Sequence, residues 1–325
     1  MIKLERKIID SKPVSFILNK SKHWHLPGFE GVPLYDVVKF FYRQVKTVGL
    51  TERASAIAYN LIMAIPPAFL FLFTLIPNLP FIKKKDILNQ LNLIIRDIIP
   101  AQGFDKSIIR FIDETFFTET PVFGLLSFGF LMTLYFASHA MMGIMRSFNK
   151  KYEGFAKRKG LHTRWVAIRL TALLFGLVMG CLIVLVTQGA VLKLFRLSSP
   201  FWLTVIAYVR WLFIIGLIFY SIASIYKFAP AVQKRWKLTS PGAILATVLS
   251  ILASIGFSAF VNAFGRYNAL YGSIGTIIVL MVLIYINSLV LLIGFELNVS
   301  IKSLKSIADR RDAKEKLEQA AQKTT

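Results

Sequence analysis

The sequence predicts an all-α integral membrane protein, a bundle of about six transmembrane helices accompanied by amphipathic interfacial helices. Of its 325 residues, 55% are hydrophobic and only 17% are charged, whereas a soluble domain of this length carries about 25% charge. The apolar residues fall in runs of about 20, the length that crosses a hydrocarbon core of roughly 30 Å. Inside lipid the backbone must satisfy its own hydrogen bonds, so these runs are expected to be helices.

Six apolar runs are predicted to cross the membrane. They cover residues 56–76, 122–142, 166–190, a run that begins between 201 and 211 and ends near 225, and residues 241–264 and 273–295. The first run contains Pro66 and Pro67, which remove two backbone donors. Two interpretations are open: a kink that only adjusts packing, or a break that exposes backbone to a ligand.

The crossings divide the chain into three segments. An N-terminal segment, residues 1–53, precedes the transmembrane domain at 54–298, and a charged tail follows at 299–325. The tail shows no apolar face wide enough for a core. Within the transmembrane domain, residues 77–121 repeat apolar side chains at helical spacing in two stretches that are too short to span. This loop is therefore predicted to form an outer cap of interfacial helices.

Residues 33–50 show the pattern of an amphipathic helix. Apolar side chains recur every three or four residues, and Lys39, Arg43 and Lys46 lie on the other face. Such a helix either lies on the membrane surface or packs against the end of the bundle, and both interpretations are open.

Positive charge is distributed unevenly between the two sides of the predicted membrane. The formal net charge is +22, and 28 of the 39 Lys and Arg residues fall on the side that holds both termini, against nine on the other. Basic loops mark the cytoplasmic side, so both termini are predicted to be cytoplasmic. Because the charges flank apolar runs, the expected partners are membrane lipids with anionic headgroups rather than nucleic acid.

The residue types needed for metal or redox chemistry are scarce. The chain has four histidines and one cysteine, Cys181, which lies inside an apolar run. No His-x-His-x-Asp-His cluster or pair of membrane carboxylates is present. The sequence therefore predicts no catalytic residues, no metal site, no cofactor and no enzymatic activity.

Three charged residues near the predicted spans are candidates for function. Arg210 lies at or inside the fourth crossing, where a charge without a partner is a candidate ligand contact; it could instead anchor the helix in the headgroup layer. Glu296 closes the sixth crossing, and Arg169 lies at a matching depth in the third. They are predicted to form an ion pair, with a solvated Glu296 as the alternative.

Polar and small side chains are densest between the fifth and sixth crossings. Glycines there permit tight turns, and the amide and hydroxyl groups can satisfy backbone at membrane depth. The segment is either a tight hairpin or a partly inserted loop that lines a cavity. Together with Arg210, the predicted ligand-binding residues are Asn262, Tyr267, Asn268, Tyr271, Gly272 and Ser273.

This turn and its flanks resemble the YihY/BrkB family of bacterial inner-membrane proteins. The matching stretches are YKFAPAV at 226–232, SPGAILAT at 240–247 and the run from FGRYNALYGS to GFELN at 264–298, with ASAIAYNLIMAIPPAFL at 54–70 as a further match. The resemblance implies a multi-pass protein of the bacterial inner membrane. Members were formerly labelled ribonuclease BN, and some are called serum-resistance or virulence factors.

Two classes of function are therefore expected. The first is a transporter or translocator of a lipid or another anionic envelope component, since an arginine without a protein partner suits a phosphate or carboxylate. The alternative is a scaffold for envelope biogenesis, which can also form a homo-oligomer. Ribonuclease activity is disfavoured because no catalytic cluster is present.

Overall fold

The computed structural model describes residues 22, 24, 26–47, 49–75, 123–149, 160–194, 200–232, 235–263 and 267–324. Every secondary-structure element in these ranges is a helix, which confirms the predicted fold class. In chain order they are α1 (Leu34–Thr47), α2 (Leu50–Leu75), α3 (Phe123–Phe148), α4 (Gly160–Leu194), α5 (Pro200–Phe228), α6 (Pro241–Ala263) and α7 (Tyr267–Thr324).

Five of the described helices, α3 to α7, are long and apolar enough to cross a membrane. They contain the second to sixth predicted crossings, and α5 begins at Pro200, just ahead of the range predicted for its start. The first predicted crossing lies in α2, whose 26 residues extend over about 39 Å. Helix α2 is not one of these five helices. Its side chains are described only as far as Phe71, so the end of the first predicted crossing falls outside the described side chains. The predicted cap at 77–121 falls outside the described residues.

The proline pair does not interrupt α2. Pro66 and Pro67 lie inside a helix that continues from Leu50 to Leu75, so the predicted alternative of a broken first crossing is wrong. The hydroxyl of Thr133 on α3 donates a hydrogen bond of 2.6 Å to the carbonyl of Pro67. A neighbouring helix therefore binds directly to the proline pair.

The helices run alternately in opposite directions. Along α2 and α3, Asn60 lies against Gly143 near one end and Phe71 lies against Phe130 further along, so the two helices are antiparallel. Helix α2 begins, α3 ends and α6 begins at the level of Glu296 on α7. We call this end of the bundle the Glu296 end, and the opposite half of the helices the far half.

The tightest packing lies at the Glu296 end. The rings of Phe148 and Phe295 stack in parallel with centroids 4.0 Å apart, and Tyr226 and Trp236 pack around them. Phe148, Phe295 and Tyr226 are fully buried. Aromatic side chains bury large areas and interlock in this way, so this end of the bundle is a solid core that joins α3, α5 and α7.

The far half is much more open. On α6, the consecutive residues Ser254, Ile255 and Gly256 are all exposed, and three consecutive positions cover more than half of a helix circumference. Ile255 is 62% exposed, and Leu212 on α5 is 71% exposed. At this level, no other described helix covers α6 on these sides.

Helix α1 packs against the part of α7 that leaves the bundle. Val37 of α1 is fully buried in a small cluster with Phe29, Val32 and Ile301. Val299 and Ile301 of α7 are buried as well, and α7 runs without interruption to Thr324. The tail was predicted to have no apolar face wide enough for a core; its first turns contribute Ile301 and Leu304 to this small cluster with α1.

Helix α4 contains a GxxxG pair, Gly176 and Gly180. The close helix contacts, however, occur at other glycines. A Cβ at Gly176 or Gly180 would meet no atom within 4 Å. At Gly143 it would lie 2.6 Å from the amide nitrogen of Asn60, and at Gly242 it would overlap the carbonyl oxygen of Gly294. These contacts hold α2 against α3 and α6 against α7 at the Glu296 end.

Candidate functional site

A buried ion pair joins three helices at the Glu296 end. Arg53, in the first turn of α2, places its Nη1 at 2.6 Å from Oε1 of Glu296 on α7, and both side chains are buried. The Nη2 atom of Arg53 also donates to the backbone carbonyl of Ser147 on α3. A buried arginine and carboxylate are costly unless they are paired, so α2, α3 and α7 must stay together while both groups remain charged.

The structure pairs Glu296 with a different arginine from the one predicted. Arg169 of α4 is exposed, and its guanidinium lies 5.5 Å from the ring centroid of Trp165 on the same helix. Glu296 is fully buried, so the alternative of a solvated carboxylate is wrong as well. Arg169 was chosen for its predicted depth, but its guanidinium lies over Trp165 of its own helix and Glu296 pairs with Arg53.

A second polar contact fixes the start of α6. Ser240 and Pro241 form a favourable helix N-terminus, with a serine cap followed by proline. The amide oxygen of Asn298 accepts a hydrogen bond of 2.9 Å from the N–H of Gly242, and its nitrogen donates to the hydroxyl of Ser240 at 3.0 Å. Asn298 therefore satisfies a free N–H at the end of α6.

Side chains with hydroxyl and amide groups follow one face of α6 towards the far half. They recur at helical spacing, at Thr247, Ser250, Ser254, Ser258 and Asn262. Ser250 donates a hydrogen bond to Asn287 of α7. One and two turns further on, Ser254 and Ser258 are exposed. We call this side of α6 the hydroxyl face; it is hydrogen-bonded to α7 at Ser250 and exposed at Ser254 and Ser258.

Arg210 lies in the far half of α5. It is the third residue of the apolar stretch Tyr208–Phe228, and it is half-buried between Val209 and Trp211, each 58% exposed. None of the ion pairs found between described residues involves Arg210.

The predicted polar turn is largely helical. Asn262 lies near the end of α6, which ends at Ala263, and α7 begins at Tyr267. This spacing favours the tight hairpin over an inserted loop. The other predicted binding residues, Asn268, Tyr271, Gly272 and Ser273, lie in the first turns of α7, and their side chains fall outside the described part of the chain.

Sequence reasoning missed Arg53 and the hydroxyl face of α6. Arg53 was counted only as one of the basic residues before the first crossing, although it stands three residues ahead of that apolar run. The hydroxyl face could have been predicted from the sequence, because Ser250, Ser254 and Ser258 recur every four residues and so share one side of a helix. No pattern in the sequence predicted the contact of Asn298 with Gly242, because this contact depends on how α6 and α7 are rotated about their axes.

Comparison with known proteins agrees with this architecture. The family model described as "Virulence factor BrkB" matches residues 41–320. The chain is 30% identical over 261 residues to the ribonuclease-like protein YfkH of Bacillus subtilis, which covers 79% of the chain and 92% of YfkH.

Two further relatives are described only as membrane proteins. UPF0761 membrane protein XAC0937 of Xanthomonas axonopodis is 25% identical over 295 residues, covering 89% of the chain and 66% of that protein. A UPF0761 membrane protein of Tolumonas auensis is 25% identical over 271 residues, covering 81% of the chain and 84% of the relative.

No solved structure matches the chain. The match over residues 41–320 means that this multi-pass membrane protein belongs to the BrkB virulence factor family.

Proposed function

We propose that this protein is a transporter or translocator that moves a lipid or another anionic envelope component across the bacterial inner membrane. The observation that carries the proposal is the difference in packing along the bundle. The Glu296 end is a solid core, whereas the far half of α5, α6 and α7 is exposed. A translocator needs one closed end and one end that is open to its substrate.

The polar groups of the far half suit an anionic substrate. Ser254 and Ser258 present hydroxyl groups at the depth where α6 is uncovered, and Arg210 supplies a positive charge in the same half. A guanidinium presents a fork of N–H donors that matches phosphate and carboxylate groups. An arginine inside an apolar helix is costly, and binding an anion offsets that cost.

The Glu296 end would act as the closed gate. The parallel stack of Phe148 on Phe295 fills the space between α3 and α7, and the ion pair of Arg53 with Glu296 ties α2 to the same place. Both contacts must separate before substrate can pass. By the distribution of basic residues, we place this end on the cytoplasmic side, together with both termini.

A translocation assay tests the role of Arg210. The purified protein is reconstituted into vesicles with a trace of headgroup-labelled anionic phospholipid, and a membrane-impermeant reductant removes the label from the outer leaflet. Wild-type protein is expected to expose more than half of the label. Arg210→Gln removes a charge-assisted contact and is expected to slow transfer by about tenfold to a hundredfold; Arg210→Lys should be slowed less.

The matched control is Arg311→Gln, which removes an exposed arginine of the tail and should transfer label at the wild-type rate. Transfer by Arg210→Gln at the rate of this control would remove Arg210 from the mechanism. If no labelled lipid, anionic or zwitterionic, is transferred by wild-type protein, the lipid form of the proposal fails.

The name of YfkH raises ribonuclease activity as another candidate. Among the described residues, no group of three or more His, Cys, Asp or Glu side chains could hold a metal ion. We expect purified protein to leave RNA intact in the presence of Mg²⁺, Mn²⁺ or Zn²⁺. Cleavage that follows the protein through purification and disappears when its own carboxylates are substituted would overturn this expectation.

A scaffold is the second candidate, and the tail of α7 favours it. Residues 307–316 are exposed in one continuous helix, and i,i+4 ion pairs such as Lys305 with Asp309 at 2.8 Å lie along its surface. A polar helix that extends from a bundle is a suitable surface for a protein partner. Truncation after Ser306 distinguishes the candidates, because a translocator should keep its transfer rate without the tail.

A further inference from the structure

Helix α1 presents three different edges. One edge is packed, with Val37 buried against α7 and Phe29. The next edge around the helix exposes Val38 at 53% and Tyr42 at 57%. The edge beyond it carries exposed polar residues, namely Asp36, Arg43 and Thr47.

Lysines stand beside the tyrosines of the middle edge. The Nζ atom of Lys46 lies 4.3 Å from the ring centroid of Tyr42, and that of Lys39 lies 5.9 Å from the ring centroid of Tyr35. Tyrosine and lysine both combine an apolar body with a polar tip, which places the body in the lipid boundary and the tip in the headgroups. The middle edge has the composition of an interfacial helix.

The packing of α1 fixes its depth. Its cluster includes Leu297, Ile301 and Leu304 of α7, and the apolar sequence of α7 gives way to Lys302 and Lys305 at the same level. Since α7 crosses the membrane, the change from apolar to basic residues marks the headgroup layer. Helix α1 is therefore held at the height where its middle edge meets phosphate groups.

We propose that the middle edge of α1, formed by Tyr35, Val38, Lys39, Tyr42 and Lys46, binds anionic phospholipid headgroups of the leaflet at the Glu296 end. Charge complementarity selects this occupant, because both charged residues of the edge are basic and the exposed apolar area is narrow. Val38 and Tyr42 enter the acyl boundary, and the two lysines reach the phosphates. The site is independent of whether the protein transports a substrate.

A spin-label depth scan on the full-length protein tests the site. Cys181, the single cysteine of the chain, is replaced by alanine, and nitroxides are attached one at a time at Val38→Cys, Tyr42→Cys, Asp36→Cys and Thr47→Cys. In bilayers that contain phosphatidylglycerol, labels at 38 and 42 should collide more with oxygen and less with a water-soluble nickel complex than labels at 36 and 47.

Two results of the scan would overturn the proposal. Equal nickel accessibility at all four positions would mean that the edge faces water. Protection of 38 and 42 from both oxygen and nickel would mean that protein covers the edge, a second copy of this chain or another partner. All four sites are exposed, so the substitutions leave the packed edge of α1 intact.

Lipid retention gives a second readout. Mass spectrometry of the intact protein, released from bilayers of equal phosphatidylglycerol and phosphatidylcholine, measures which lipids stay bound. Lys39→Gln with Lys46→Gln should lower the ratio of anionic to zwitterionic lipid by about fivefold per lysine lost. The control pair Arg311→Gln with Lys316→Gln, on the exposed tail, should leave the ratio unchanged. Equal ratios in the two double variants would refute the proposal.

Discussion

The two halves of the α6–α7 hairpin differ in what holds them. Towards the Glu296 end, Gly242 lies against Gly294 and Asn298 binds the start of α6. Among the side chains that the structure describes, the hydrogen bond of Ser250 with Asn287 is the furthest polar contact along this pair. Beyond it, much of α6 is exposed although most of its residues are apolar. Lipid is as apolar as leucine, so apolar content does not keep membrane helices together. Close glycine contacts and polar pairs therefore distinguish the packing of this helix pair at the Glu296 end.

The largest expected effect is at the ion pair. Glu296→Ala leaves Arg53 buried without its carboxylate, and breaking such a pair costs about 3–5 kcal/mol. Unfolding of the purified protein by sodium dodecyl sulfate, followed by circular dichroism, measures the loss. The double variant Arg53→Met with Glu296→Leu replaces both charges by apolar groups and should recover much of it.

The matched control for the ion pair is Glu318→Ala, which breaks the exposed pair of Glu318 with Lys314 at 3.7 Å. Exposed pairs contribute little, so its unfolding curve should superimpose on that of the wild type. Equal curves for Glu296→Ala and Glu318→Ala would contradict the assignment of Glu296 as a buried, structural charge.

A smaller effect is expected at the glycines of α6. A Cβ at Gly242 would overlap the backbone of α7, whereas a Cβ at Gly256 would meet nothing within 4 Å. Gly242→Ala is therefore expected to lower the free energy of unfolding by about 1–3 kcal/mol through overpacking. Gly256→Ala should leave it unchanged or raise it by about 0.5 kcal/mol, because alanine favours the helix. The reverse order would mean that the tight contact of α6 lies in the far half and not at the Glu296 end.

The smallest effect on stability, and the sharpest test of the open half, comes from cysteine labelling. In a Cys181→Ala background, Ser254→Cys and Ser258→Cys should react with a water-soluble thiol reagent in bilayers if, as we propose, the exposed serines of α6 meet an aqueous substrate path. Leu252→Cys, whose native side chain is also exposed, at 58%, but lies on an apolar side of α6, should face lipid and stay unreactive. Protection of all three positions would show that lipid or protein covers both sides of α6, and would contradict an aqueous path at the serines.

Much of the fold was readable from hydropathy, because span length is fixed by bilayer thickness. The predicted crossings at 122–142 and 241–264 match α3 and α6 closely. Pro66 and Pro67 were expected to disturb α2, yet neighbouring helices can satisfy the freed backbone groups of a membrane helix. The bond from Thr133 to the carbonyl of Pro67 adds a contact from α3 beside the prolines, and hydropathy does not predict it.

The candidate site was less predictable because sequence gives depth but not rotation. Arg169 and Glu296 were paired for their similar depth, yet Arg169 points towards Trp165 and Arg53 takes its place. Which residues face one another depends on how each helix turns about its axis, and that is set by packing at residues such as Gly242 and Gly294. Arg210 could be identified from the sequence alone, because a charged residue inside an apolar run is unusual however the helices pack.

The unbroken length of α7 has a mechanical consequence. Its 58 residues form a rod of about 87 Å, and the α1 contact near Ile301 grips it partway along. A rod held in this way works as a lever with its fulcrum at the grip. A tilt of 10° in the membrane arm would swing the tip of the tail, about 35 Å beyond the fulcrum, by about 6 Å. Separation of Phe148 from Phe295 would therefore displace the end of the tail, together with any partner bound to it, in the aqueous phase far from the bilayer.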